Sequence, residues 1–144
     1  MFSKSCEYGI KAVLYIATQS LKGERTKIGD VAKYTGVPEA FTGKLLSTLS
    51  KHGIVSSYTG PNGGFEVVPD EMKSHTVADI VSAIDGDAAF YGCVLGLSEC
   101  NEEHPCPLHH SFSEIRNQLR DTLQSTTIFE LATNIKKGES LLAR

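Results

Sequence analysis

"TGVPEAFTGKLLSTLSKHGIVSSYTGPNGGFEVVP", residues 35–69, decides how the rest of the chain is read. "GVP" makes a tight turn. A helix from about Glu39 to His52 follows, with Phe41, Leu45 and Leu49 inward and Gly53 as its C-terminal stop. "IVSSY" and "FEVVP" read as β-strands. The "TGPNGG" between them turns the chain sharply and keeps side chains small at the tip. Any hairpin needs such residues. The information lies in the order: two short helices joined by a turn containing Gly, then a hairpin, which is the plan of a winged helix-turn-helix.

Upstream, Thr26 is placed to cap the second helix, with Ile28, Val31 and Ala32 inward and Gly36 at its end. Ser3 is placed to cap a first helix whose stripe is Cys6, Ile10, Val13, Leu14 and Ala17. Cys6 on that stripe reads as a small core hydrophobe. Glu7 points about 100° away from it. Downstream, Thr76 and Asp79 form a capping box for a helix running to about Asp85, with Val77, Ile80, Val81 and Ile84 inward. Residues 87–108 show no periodicity and read as a loop, long enough to suggest a function. Phe112, Ile115, Leu119 and Leu123 then mark a helix from about His109 to Gln124. Thr127 and Glu130 cap a short last helix with Ile128, Phe129 and Leu131, and the tail after Ile135 is expected to fray. The expected fold is mainly α with a small β-hairpin. Residues 1–75 are expected to form the winged helix-turn-helix domain, and residues 76–144 a long loop and dimerisation helices. Little chain remains to cover the stripe of the long C-terminal helix, so a second copy is the natural cover. Packing onto the first helix is the alternative.

The 144 residues, 40% hydrophobic and 22% charged, fit a folded domain rather than a disordered chain. No apolar run approaches the ~20 residues of a membrane span. The apolar start is interrupted by Glu7 and Lys11 and has no basic leader, which predicts a cytoplasmic protein without a secretory signal. Thiols stay reduced there, so four cysteines predict metal or redox chemistry before a disulfide frame. The net charge of −3 conceals an asymmetry. Residues 1–64 carry eight Lys/Arg against four Asp/Glu, and residues 65–144 carry six against thirteen. A polyanion would therefore meet the first half.

"CVLGLSECNEEHPCPLHH", residues 93–110, holds three of the four cysteines and three histidines. Thiolates suit iron–sulfur clusters, zinc and copper(I). Zinc knuckles use cysteines two to four residues apart. Gaps of six and five residues here suit a larger object held by a loop, with a single metal or free thiols as alternatives. Three thiolates leave one position for another ligand. His109 is the local candidate, three residues after Cys106, and Glu7 the distant one. His104 and His110 read as surface residues.

The ordered set of the "VSSYTGPNGGF" wing, the "TVADIVSAID" helix and the Cys-x6-Cys-x5-Cys-x2-His loop resembles the Rrf-type family of bacterial transcription regulators, over about residues 1–134. The resemblance implies a cytoplasmic homodimer on double-stranded DNA, acting as a repressor and not an enzyme. It also implies an iron–sulfur cluster, 2Fe–2S or 4Fe–4S, on Cys93, Cys100 and Cys106. His109 matches the histidine ligand of IscR-like members. Glu7 lies next to where NsrR-like members carry an acidic ligand that crosses the dimer. In such proteins the third helix enters the major groove and the wing approaches the minor groove. The outward positions expected to meet DNA are Thr42, Lys44, Ser47 and Lys51 on that helix, and Tyr58, Thr59 and Asn62 on the wing. The chain departs from IscR-like members at Gly43 and Thr59, where those carry a base-reading glutamate and a wing arginine, so the operator does not transfer. Two other classes compete with this reading. A thiol redox enzyme would call for a Cys-x-x-Cys or a paired nucleophile and base, and neither occurs in the sequence. A winged-helix dimer with a structural metal or free thiols, working as an interaction module or thiol redox sensor, remains the alternative.

Overall fold

The computed structural model describes residues 2–142. Met1, Ala143 and Arg144 lie outside them, and with the last two lies the end of the segment 76–144 expected from the sequence.

Helix α1, Lys4–Leu21, is the axis of the fold. Ser3 Oγ accepts the Cys6 N–H at 3.0 Å, the predicted cap. Its buried residues, among them Cys6, Val13, Leu14 and Ala17, recur at helical spacing. Helix α2, Ile28–Thr35, ends at Gly36 in the left-handed conformation. Helix α3 is Glu39–Lys51. Strands β1, Ser56–Tyr58, and β2, Gly64–Glu66, pair antiparallel with Ser57 opposite Phe65. Then follow α4, Pro69–Ser74, α5, Val77–Asp85, and the single turn α6, Ala88–Tyr91. After a long loop come α7, His109–Ser125, and α8, Ile128–Lys136.

Four expectations are corrected. Thr26 does not cap α2; Lys27 holds that position without a side-chain bond. Thr26 instead exchanges both backbone hydrogen bonds with Phe65, at 2.9 and 2.8 Å, as a one-residue third strand of the wing. The strands are shorter than read, because Ile54, Val55 and Val67 turn into the core and Pro69 opens α4. Proline is well suited to a first helical turn, where its missing N–H has no intrahelical partner to lose. Residues 88–91 form a helical turn within the expected loop. The tail continues in turns after Lys136, with Gly138 at φ 78°, and Leu142 packs against the core.

The main core gathers Val13, Leu14, Ile16 and Ala17 of α1 with Val31, Leu46, Leu49, Ile54, Val67 and Met72. Ile80, Ile128 and Ala132 complete it. Each such aliphatic side chain is worth ~1.5–3 kcal/mol of burial. A second, smaller cluster joins Cys6 to Val77, Ala78, Val81 and Phe90 at the start of α1. The two strand-like bonds Val77 N–H to Thr126 O, 3.0 Å, and Ile128 N–H to His75 O, 3.1 Å, tie α8 to α5. Helix α7 is left at the edge. Of its 17 residues only His109 is buried, while Phe112 and Ile115 are 37% and 57% exposed. The apolar stripe of α7 therefore stays open to water on an otherwise polar helix.

Candidate nucleic-acid interface and cysteine loop

Helix α3 buries Thr42, Leu45, Leu46 and Leu49. Thr42 is therefore not one of the outward residues. It is 2% exposed and its hydroxyl donates to Pro38 O at 3.1 Å. Phe41, expected inward, is half-buried against the Tyr8 ring at a centroid distance of 6.3 Å. Lys44, Ser47 and Lys51 are exposed on one side of α3, as expected. Gly43 has a structural reason. A Cβ there would sit 3.1 Å from Ile28 Cδ1, so its absence lets α2 and α3 approach closely.

In the wing, Tyr58, Thr59 and Asn62 are all exposed. Both glycines of "NGG" are dictated by contacts. A Cβ on Gly63 would run into the Tyr58 carbonyl oxygen. One on Gly64, at φ 130°, would lie 2.9 Å from Thr26 O. The nearby Glu66 carboxylate raises the Tyr58 pKa above the ordinary tyrosine value. Sequence reading missed two neighbours. The Arg25 guanidinium lies over the Tyr58 ring, 3.7 Å from its centroid, and donates to Asn62 O at 3.1 Å. Lys27 Nζ donates to Pro61 O at 3.3 Å. Only the charge count of the first half hinted at them; no local pattern ties residues 25 and 27 to a hairpin so far along the chain.

The loop thiols Cys93, Cys100 and Cys106 are half-buried and free, while Cys6 is fully buried. Burial, helped by the Asp85 carboxylate, pushes the Cys6 thiol up to about 12. Cys93 goes the other way. Backbone N–H groups of Leu97 and Leu95 favour its thiolate, and Cys106 adds a hydrogen bond. Cys100 Sγ meets His109 Nδ1 at 3.3 Å, and Arg116 Nη1 donates to Cys100 Sγ at 3.2 Å and to Gly92 O at 2.8 Å. His109 opens α7, 6% exposed, with its N–H on Cys106 O at 3.0 Å. Of the loop donors, Cys100 and His109 are thus in direct contact. Among the described residues no three His, Cys, Asp or Glu side chains stand close enough to hold a single ion. Glu7 is paired with Lys4 at 3.1 Å on the outer side of α1. His104 and His110 are exposed, as expected.

Beside the loop, Ala88, Ala89, Gly92, Val94, Phe112 and Ile115 line an apolar cavity of about 370 Å³. Val94, Leu95 and Leu97 extend its apolar rim at 49–55% exposure. No described helix is long and apolar enough to cross a membrane.

Comparison with known proteins accords with this arrangement. Residues 2–134 match the Rrf2 family, described as an iron-dependent transcriptional regulator. An HTH-type transcriptional regulator of Aquifex aeolicus is 34% identical over 134 residues, covering 91% of this chain and 90% of its own. The HTH-type transcriptional regulator IscR of Escherichia coli is 28% identical, covering 88% of this chain and 76% of its own. In fold, the chain is similar to CymR, the global cysteine regulator of B. subtilis, with a TM-score of 0.75. That likeness is at 23% identity and covers 92% of this chain and 96% of the other. With a winged helix, an exposed basic face on α3 and a family match along nearly its whole length, the chain belongs to the Rrf2 family of DNA-binding transcriptional regulators.

Proposed function

We propose that the chain works as a cytoplasmic homodimer that binds double-stranded DNA and represses transcription, with its DNA affinity governed by an iron–sulfur cluster on the loop 92–108. Residues 1–75 carry the DNA contacts: Lys44, Ser47 and Lys51 toward the major groove, and Tyr58, Thr59 and Asn62 on the wing. Residues 76–144 carry the loop and the dimer helix α7.

The donor set fits such a cluster by its chemistry. Cys93, Cys100 and Cys106 are soft ligands on a loop free of long elements, and His109 is the fourth, since it already meets Cys100 at 3.3 Å. Glu7 is the alternative fourth ligand, reachable only from a second chain or after leaving Lys4. When bound, the cluster supplies a redox-active, chemically labile centre whose loss frees the thiolates. The chain's own part is positional. Arg116 and His109 of α7 hold Cys100, and Arg116 also holds Gly92 at the loop's start, so the state of the loop is felt by α7.

The observation that carries this reading is the attachment of the loop thiols to the exposed dimer helix through Cys100, His109 and Arg116. Its test is absorption spectroscopy with iron and sulfide analysis of protein purified without oxygen. Iron and sulfide in equal amounts support it. Colourless, iron-free protein that binds DNA equally well favours the second reading, a thiol redox sensor, which rests on three free, half-buried thiols sharing one loop.

A further inference from the structure

The wing tip, "GPNGG", carries no cation of its own, yet a DNA groove and its flanking phosphates attract guanidinium and ammonium groups. Two cations reach the tip from elsewhere. Both come from the connection between α1 and α2. Thr26 pairs with Phe65 and so docks that connection against β2. Its neighbours on either side then point along the wing. Arg25 crosses Gly64, where a Cβ would lie 3.5 Å from its own Cβ, and lays its guanidinium on Tyr58. Lys27 lies along Pro61. Glycine at residue 64 is what leaves this path open.

We propose that Arg25 and Lys27 form a phosphate-binding clamp beside the wing tip, and that Arg25 also holds the wing in its DNA-binding posture. This rests on the DNA-binding reading and adds a contact outside both α3 and the wing strands. The two residues line an open cleft of about 590 Å³ together with Gly23, Glu24, Asn62, Gly63 and Glu66. Its open form and its polar lining suit a sugar–phosphate strand. Two carboxylates also face the cleft. Glu66 is paired with Arg25 Nε at 3.7 Å, which orients the guanidinium plane and offsets the repulsion this carboxylate would offer a phosphate. Glu24 offsets part of the charge, so the clamp works by geometry more than by bulk potential. The carbonyls of Pro61 and Asn62 hold both cations at the tip before DNA arrives, which lowers the ordering cost of binding. Arg25 is the stronger member, because a planar guanidinium can stack on Tyr58 and still present N–H groups to a phosphate.

The test uses the full chain and a random-sequence duplex, titrated at several salt concentrations between roughly 50 and 200 mM. Lys27→Ala is expected to weaken binding about three- to tenfold and to lower the salt slope by about one. Arg25→Ala is expected to do more and to remove hydroxyl-radical protection beneath the wing, because the wing loses its stacking partner as well as a charge. Arg25→Lys should restore the salt slope but only part of the affinity, a split that general destabilisation would not produce. Melting curves and sedimentation confirm that each variant is folded and dimeric. Affinity and slope matching the wild type in Arg25→Ala and Lys27→Ala would overturn the clamp, as would lost affinity with an unchanged slope. Failure of the wild-type protein to bind any duplex would instead overturn the DNA-binding reading itself.

Discussion

Cys100 Sγ lies 3.3 Å from His109 Nδ1, which joins the middle of the cysteine loop to the first turn of α7. A thiol and an imidazole in contact make a ready half of a ligand set, and Arg116 one face along α7 keeps the thiol in place. This gives His109 priority over Glu7, which is turned to Lys4. Alanine at Cys93, Cys100 or Cys106 is expected to abolish bound iron and sulfide after reconstitution without oxygen. Cys6→Ala should retain both. His109→Ala should lower iron affinity ~10–100-fold, and Glu7→Ala should leave it unchanged. Iron retained in His109→Ala and lost in Glu7→Ala would reverse the assignment.

The same contact predicts coupling between loop and DNA. On the proposed function, ordering the loop would set the angle between α7 and the α5–α6 side of the body, and so the spacing of the two α3 helices in a dimer. Half-sites on a duplex require a spacing of about one helical turn, ~34 Å. Affinity for the protein's own promoter, measured at one salt concentration with and without the cluster, is expected to differ by ~1–3 kcal/mol. Equal affinities from two folded, dimeric forms would leave the cluster a purely structural role.

The exposed stripe on α7 predicts the dimer contact. Ile115 is 57% exposed and Leu119 half-buried beside the apolar cavity. Covering such side chains on two copies yields ~1.5–3 kcal/mol each. Leu119→Glu is expected to give monomers in sedimentation at low concentration, with the melting profile of α1–α5 preserved. A dimer of unchanged affinity would place the interface elsewhere.

Gly64→Ala should damage the wing selectively. Its φ of 130° and the Thr26 carbonyl 2.9 Å from any added Cβ leave no relaxed position. The expected cost is about 1–3 kcal/mol in denaturant unfolding, with DNA affinity lost before global stability.

Cys6 predicts an alkaline limit. In the folded chain its thiol keeps its proton to about 12, while the unfolded chain releases it near the ordinary 9.0. Between those values the unfolded state binds fewer protons, so stability contributed at lower pH is lost as pH rises. The urea midpoint should fall from pH 9 upward, and Cys6→Ala should flatten that fall. An identical slope in the variant would mean other groups govern it.

Some of this was legible residue by residue, and some was not. Local signals carried far: the Ser3 cap, the Thr76–Asp79 capping box, the Thr127 cap and the glycine stops all act within four residues, and all were found in place. Thr42 faces inward because the buried stripe of α3 holds Leu45 and Leu49 as read but passes through Thr42 and leaves Phe41 at its margin. Leu46 is buried too, which rotates the inward face onto Thr42. Thr26 was misread as a cap because its hydroxyl suits that role locally, whereas its real partner, Phe65, lies in the wing.

The sequence by itself determined the order of helices and hairpin, the thiol-rich loop and the apolar stripe of α7. Periodicity, capping and turn chemistry depend on neighbours a few residues apart, and those are written side by side. Only the tertiary structure decided that Arg116 holds Cys100, that His109 rather than Glu7 faces Cys100, and that Arg25 lies on Tyr58. Those relationships join residues far apart in sequence, or lie within a loop that has no period, and packing of the whole core around α1 sets them.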